Sequence, residues 1–199
     1  VPGWQDMSYD DIDTERKSFI NSETVTNMPF VGLTLGTDGY WSARVWYYTR
    51  NNRIKRKWAE SVRVSGLRFR SYFNNKIVHF QKPNEKMVRT VNIWGDTIHK
   101  EISRLNIGII GLGSVGSAVA EMLVRMGMTR FTLIDFDTVE EHNLDRLIGV
   151  YKDDIGKSKV DVIKKSMRKS ASANNINISI CKESLVKESG YMSSLDCDI

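Results

Sequence analysis

The 199-residue chain is 41% hydrophobic and 27% charged, with a formal net charge of +5, the proportions of an ordinary globular protein of one or two domains. No apolar run reaches the roughly 18 residues of a membrane span, and no secretory leader is visible. Cys181 and Cys197 are too few for a disulfide framework and suit a reducing, cytoplasmic setting.

In chain order, residues 1–11 read as a loop containing Ser8 and Asp11 at S-x-x-D spacing. A polar helix is expected over residues 10–21, and the serine and aspartate would serve equally as its cap. An apolar strand follows over 30–35, then a turn at Thr37, Asp38 and Gly39, then a second strand over 40–48, together a hairpin. Residues 50–70 are basic, with aromatic residues interspersed, and read as a solvated connector. The alternation from Val62 to Phe73 predicts a strand hairpin with polar side chains outward. A nucleic-acid surface is disfavoured here because no recognition motif accompanies the charge. His79, His99 and His142 are scattered without paired spacing and read as surface or helix-end residues.

The most informative run spans 105–159. Residues 105–110 form a short β-branched strand of the buried parallel type. Gly111, Gly113 and Gly116 then allow a sharp turn and close backbone approach to a phosphate, with a helix opening near Ser114. A second strand over 129–134 ends at Asp135, where a carboxylate can accept ribose hydroxyls. To this point NAD and ATP fit equally well. Beyond it stand Asn143, Arg146 and Lys159, an amide and two cations, which suit a triphosphate losing pyrophosphate better than a dinucleotide. A basic helix is expected over 157–169, a third strand over 176–180, a short helix over 187–195 and the start of a fourth strand over 195–199.

This pattern resembles the ThiF/MoeB/HesA adenylyltransferases, relatives of the ubiquitin-activating enzymes. The family run D-x-D-x-V-x-x-x-N-L-x-R appears as Asp135, Asp137, Val139, Asn143, Leu144 and Arg146, and the Gly-x-x-Lys as Gly156 and Lys159. The resemblance covers about residues 89–199. It implies that Gly111, Gly113 and Gly116 form the phosphate turn, that Asp135 binds ribose, and that Asn143, Arg146 and Lys159 surround the phosphates. Arg89 would match an arginine that reaches a neighbouring subunit's site, although Thr90 stands where the family has glutamine. The implied activity is ATP- and Mg2+-dependent adenylation of the C-terminal carboxylate of a ubiquitin-like or sulfur-carrier protein, by a homodimer. The competing readings are an NAD(P)-dependent dehydrogenase and a catalytically inactive binding module.

Ser8 and Asp11 also resemble the tail of the JAB/MPN metalloprotease motif, H-x-H-P-x(7)-S-x-x-D. That resemblance implies Asp11 as a zinc ligand and Ser8 as an oxyanion stabiliser, with both histidines just before Val1. A sheet ending after three strands would leave an apolar edge, so the sequence reads as a fragment. A strand bearing a magnesium-binding aspartate is expected beyond Ile199, and residues 1–199 alone are expected to show little activity. The expected fold is α/β: a Rossmann-like, mostly parallel sheet over 86–199, preceded by a smaller α+β, JAB-like domain over 1–85 that includes the basic connector.

Overall fold

The computed structural model describes residues 4–26, 28–67 and 69–199, and over 23–26 the backbone alone. Val1, from which the histidine spacing is counted, lies outside them. The chain forms two compact units, Val1–His79 and Phe80–Ile199.

In the first unit, Ser8 heads helix α1 (Tyr9–Thr26). Its Oγ accepts the Asp11 N–H at 3.2 Å, and its hydroxyl donates to Asp11 Oδ2 at 2.6 Å, a side-chain cap on the first turn. The helix runs past its expected end at 21 and packs on an antiparallel sheet of β1 (Phe30–Leu35), β2 (Trp41–Tyr48) and β3 (Ile54–Trp58), in that order. β2 starts one residue late because the Tyr40 N–H is taken by Asp38 Oδ1 at 2.9 Å. β3 lies in the stretch expected as a connector. Its exposed Lys55 and Lys57 alternate with the half-buried Ile54, Arg56 and Trp58, so the basic character belongs to the outer face of a strand. Arg56 donates to Asp6 at 2.7 Å and lies 5.0 Å from the Trp58 ring centroid. The expected second hairpin is formed by β4 (Ser61–Val64) and β5 (Arg70–Phe73).

A buried ion pair joins α1 to this sheet. Arg44 of β2 is 0% exposed, and its Nε and Nη2 donate to the two carboxylate oxygens of Glu15 at 2.6 and 2.7 Å. Arg44 Nη1 donates to Thr34 Oγ1 at 2.9 Å, and Trp46 Nε1 donates to Glu15 Oε2 at 2.8 Å. The polar groups buried here therefore satisfy one another, as a low-dielectric interior demands.

The second unit contains α2 (Val88–Ile102, broken at Gly95), β6 (Asn106–Ile110), α3 (Ser114–Arg125), β7 (Arg130–Ile134), α4 (Lys159–Ser170), β8 (Asn177–Cys181) and α5 (Glu188–Leu195). β6, β7 and β8 pair in parallel in that order. Leu133 of β7, Val124 of α3, and Val160 and Ile163 of α4 are buried in the core with Leu112, and α3 and α4 cover the sheet as parallel crossovers require. At the other edge of β6, the Asp198 N–H bonds to Asn106 O and the Gly108 N–H to Ile199 O, each at 2.8 Å. The expected fourth strand thus begins to pair there. His99 lies in the last turn of α2 but is fully buried, with its Nε2 3.1 Å from Gln81 O; His79 and His142 are exposed. Among the described residues, no helix is long and apolar enough to cross a membrane.

Candidate functional site

The C-terminal ends of β6, β7 and β8 converge on a cleft of about 240 Å³, lined by residues that include Gly111, Asp135, Phe136, Asp137, Ser184 and Leu185. Ligands bind in this place on open α/β sheets because the chain there leaves the sheet in loops. Gly111 has φ 83°, a conformation a side chain would strain. Its N–H still donates to Ile134 O at 2.9 Å, so the turn stays tied to the sheet.

Helix α3 opens at Gly113 without a side-chain cap. The first-turn N–H groups of a helix have no partner within it, and with no side chain capping them here they leave partial positive charge suited to a phosphate. Ser114 and Val115 are exposed there. A Cβ on Gly111 or Gly113 would meet nothing within 4 Å, so the space before the turn is open. Behind the turn the contact is tight: a Cβ on Gly116 would stand 1.9 Å from the Gly111 carbonyl oxygen. Gly116→Val is accordingly expected to displace the turn and to lower stability by about 1–3 kcal/mol. An unchanged melting curve by circular dichroism would contradict that packing.

Asp135 is 7% exposed. Its Oδ2 accepts the Leu112 N–H at 2.5 Å and its Oδ1 accepts the Asp137 N–H at 2.8 Å. One carboxylate thus braces the glycine turn and the loop after β7 together. Each oxygen has further lone-pair capacity, so a hydroxyl ligand is still accommodated.

The remaining residues are brought in by a short antiparallel strip. The Val139 N–H bonds to Lys157 O, the Gly156 N–H to Val139 O and the Lys159 N–H to Asp137 O. Lys159 opens α4 and is 8% exposed, and its Nζ donates to Asp137 Oδ2 at 2.7 Å. Asp137 itself lines the cleft. Asp154, in the turn just before the strip, accepts from Lys157 at 3.0 Å, and that bond holds its carboxyl below the usual range.

Asn143 is buried, and its Oδ1 accepts the Glu140 N–H at 3.2 Å, closing a tight turn. Arg146 is exposed, with its Nη1 donating to His142 O at 2.6 Å and Asp145 Oδ1 at 3.0 Å. Two residues on, the Ile148 N–H donates to Ser117 Oγ at 3.2 Å, which ties the Arg146 loop to the first turns of α3. Gly111, Asp135 and Asp137 line this cleft, Gly113 and Gly116 line a neighbouring concavity at the start of α3, and Lys159 joins the cleft through its bond to Asp137; Asn143 and Arg146 do not line it. Arg89 is exposed on α2 and does not line the cleft. The partnership of Lys159 with Asp137 went unread in sequence, although both aspartates of D-x-D stand at a strand end.

Among the described residues no three His, Cys, Asp or Glu side chains are grouped to hold a metal ion. In the first unit, Asp11 Oδ2 accepts the Ser8 hydroxyl, and the two histidines of the expected zinc motif would fall before Val1, outside the described residues.

A parallel sheet with a glycine turn opening a helix, a buried strand-end aspartate and a following lysine has the make-up of a nucleotide-binding α/β unit. The ThiF family model matches residues 86–196, and the chain belongs to the ThiF family. It is similar to ubiquitin-like modifier-activating enzyme 5 of Arabidopsis thaliana, 43% identical over 63 residues, covering 32% of this chain and 14% of that protein. It is also similar to tRNA threonylcarbamoyladenosine dehydratase of Escherichia coli K12, 34% identical over 79 residues, covering 40% of this chain and 30% of the relative. The crystal structure of the E. coli dehydratase TcdA matches with a TM-score of 0.50 at 28% identity, over 55% of this chain and 46% of that one. This chain thus spans less than a third of the length of those two curated relatives.

Proposed function

We propose that the second unit serves an ATP-dependent adenylyltransferase that activates the C-terminal carboxylate of a ubiquitin-like or sulfur-carrier protein. The observation that carries this reading is the placement of Lys159, paired with Asp137 at a cleft whose glycine turn leads into an uncapped helix. A carboxylate oxygen would attack the α-phosphorus of ATP as the bond to the β-phosphate oxygen breaks, giving an acyl-adenylate and pyrophosphate. Gly111, Gly113 and Gly116 would hold phosphate oxygens through the turn and the helix end. Asp135 would take the ribose hydroxyls. Asn143 would brace its loop, and Arg146 and Lys159 would offset the negative charge that grows on departing pyrophosphate. Positioning and charge, rather than proton transfer, account for the rate. Mg2+ would accompany the triphosphate. Arg89, exposed on α2, fits the role of an arginine offered to a second copy in a homodimer, and the free thiols of Cys181 and Cys197 fit a cytoplasmic setting.

The division at 85/86 is proposed as the domain boundary of this protein, a short way past the 79/80 division between its compact units. For the first unit we propose kinship with the JAB/MPN fold, supported by Ser8-x-x-Asp11 at the head of α1 and the antiparallel sheet after it. No zinc chemistry is assigned to it.

ATP–pyrophosphate exchange by the full-length gene product tests the activity. Exchange that depends on a carrier protein, without nicotinamide binding, is the expected result. Nicotinamide binding without exchange would establish the dehydrogenase reading, and neither would establish the inactive module.

A further inference from the structure

The second unit carries another polar concavity, at the far end of α3 from the glycine turn. The helix has 12 residues, so the two places are separated by roughly 18 Å. The pocket has a volume of about 430 Å³ and is lined by Lys86, Arg125, Lys169, Ser170, Ala171 and Ser172. Three cations reach it from three separate segments: the turn before α2, the last residue of α3 and the last turn of α4.

Its walls are fastened to one another. Asn84 Nδ2 donates to Ser172 O at 2.7 Å while Asn84 Oδ1 accepts the Lys86 N–H at 3.0 Å. Ser172 Oγ donates to Arg125 O at 2.8 Å. Arg125 Nε donates to Glu121 at 2.7 Å, and its Nη2 lies 3.5 Å from Ser170 Oγ. Among the described residues, Lys86 and Lys169 have no ion-pair partner. One carboxylate, Glu121, against three cations leaves a surplus of two positive charges.

Helix dipoles explain part of this arrangement. Arg125 and Lys169 stand at helix C-termini, where cations are favoured. Lys86 does not, since it lies in a short turn headed by Asn84, and converging like charges repel unless an anion joins them. We propose that this pocket binds a phosphate dianion, whose charge matches the surplus and whose several acceptor oxygens suit three cationic groups and the Ser170 hydroxyl. The dianion is that of free phosphate or of a terminal monoester; a nucleic-acid backbone phosphodiester carries only one negative charge.

Residue-resolved NMR on the full-length protein tests the pocket, with inorganic phosphate, AMP and a short RNA duplex as separate probes at matched ionic strength. Saturable shifts at Asn84, Lys86, Ser170 and Ser172 are expected, with the affinity falling at least ~10-fold in Lys86→Gln/Lys169→Gln. Both lysines are exposed, so the variant should fold, and its circular dichroism checks this. Tighter binding of inorganic phosphate than of AMP marks a free ligand and tighter binding of AMP a monoester; tighter binding of RNA than of both would overturn the proposal. Shifts confined to the glycine turn, equal shifts with chloride, or an affinity unmoved in the folded double variant would overturn the proposal.

Discussion

Lys159→Met in the full-length protein is expected to cut ATP–pyrophosphate exchange by about 10²–10³-fold, the usual loss when one group that stabilises transition-state charge is removed. Methionine keeps the buried stem of the side chain and deletes only the ammonium, so packing at the head of α4 should survive. Asp137, left without its partner, is 47% exposed in its side chain and stays hydrated. A matching loss of thermal stability is therefore not expected, and the two measurements together separate a chemical role from a structural one. The same loss is expected in kcat when chemistry limits turnover, with a smaller change in KM. Exchange within a few-fold of the parent protein would remove Lys159 from the site and weaken the assignment of Arg146, which rests on the same electrostatic argument.

Glu15→Ala is expected to destabilise the first unit by about 3–5 kcal/mol, the characteristic cost of leaving one member of a buried ion pair without the other. The Arg44 guanidinium, 0% exposed in the parent, would lose both of its bonds to Glu15, and Trp46 Nε1 would lose its acceptor. Urea unfolding followed by tryptophan fluorescence is a suitable measurement, because Trp4, Trp41, Trp46 and Trp58 fall in that unit and only Trp94 in the other. Glu15→Gln should cost less, since it preserves an acceptor for Trp46 and one for Arg44. Replacing both partners together, as in Glu15→Leu/Arg44→Met, should cost less than Glu15→Ala, because no charge is stranded. An alanine variant that unfolds at the parent's urea concentration would show that water reaches the arginine.

The second unit was legible because its signals are local. A β-branched run, a glycine turn, a helix and a second run specify a mononucleotide fold from adjacent residues, and each strand lay within a residue or so of its expected place. The basic stretch containing β3 misled for a physical reason. Lys55 and Lys57 point outward while Arg56 lies against tryptophan rings, so composition signalled solvent where alternation signalled a strand. The Glu15–Arg44 pair had no signature at all, since helix and strand meet only after folding and each charge alone reads as surface. His99 was hidden for the same cause, its burial set by packing around α2 rather than by neighbours in sequence. At the site, the residues of D-x-D, N-L-x-R and Gly-x-x-Lys were visible, but the bond from Lys159 to Asp137 depends on the strip that folds 156–159 back against 137–139.

The double bracing by Asp135 makes that position unforgiving to mutation. Asparagine would turn an amide N–H toward either Leu112 N–H or Asp137 N–H, donor against donor, while glutamate would carry its carboxylate one methylene too far for both bonds. A variant here is expected to loosen the glycine turn and the loop after β7 together, so a loss of nucleotide from it would carry that disturbance along with the loss of the proposed ribose contact.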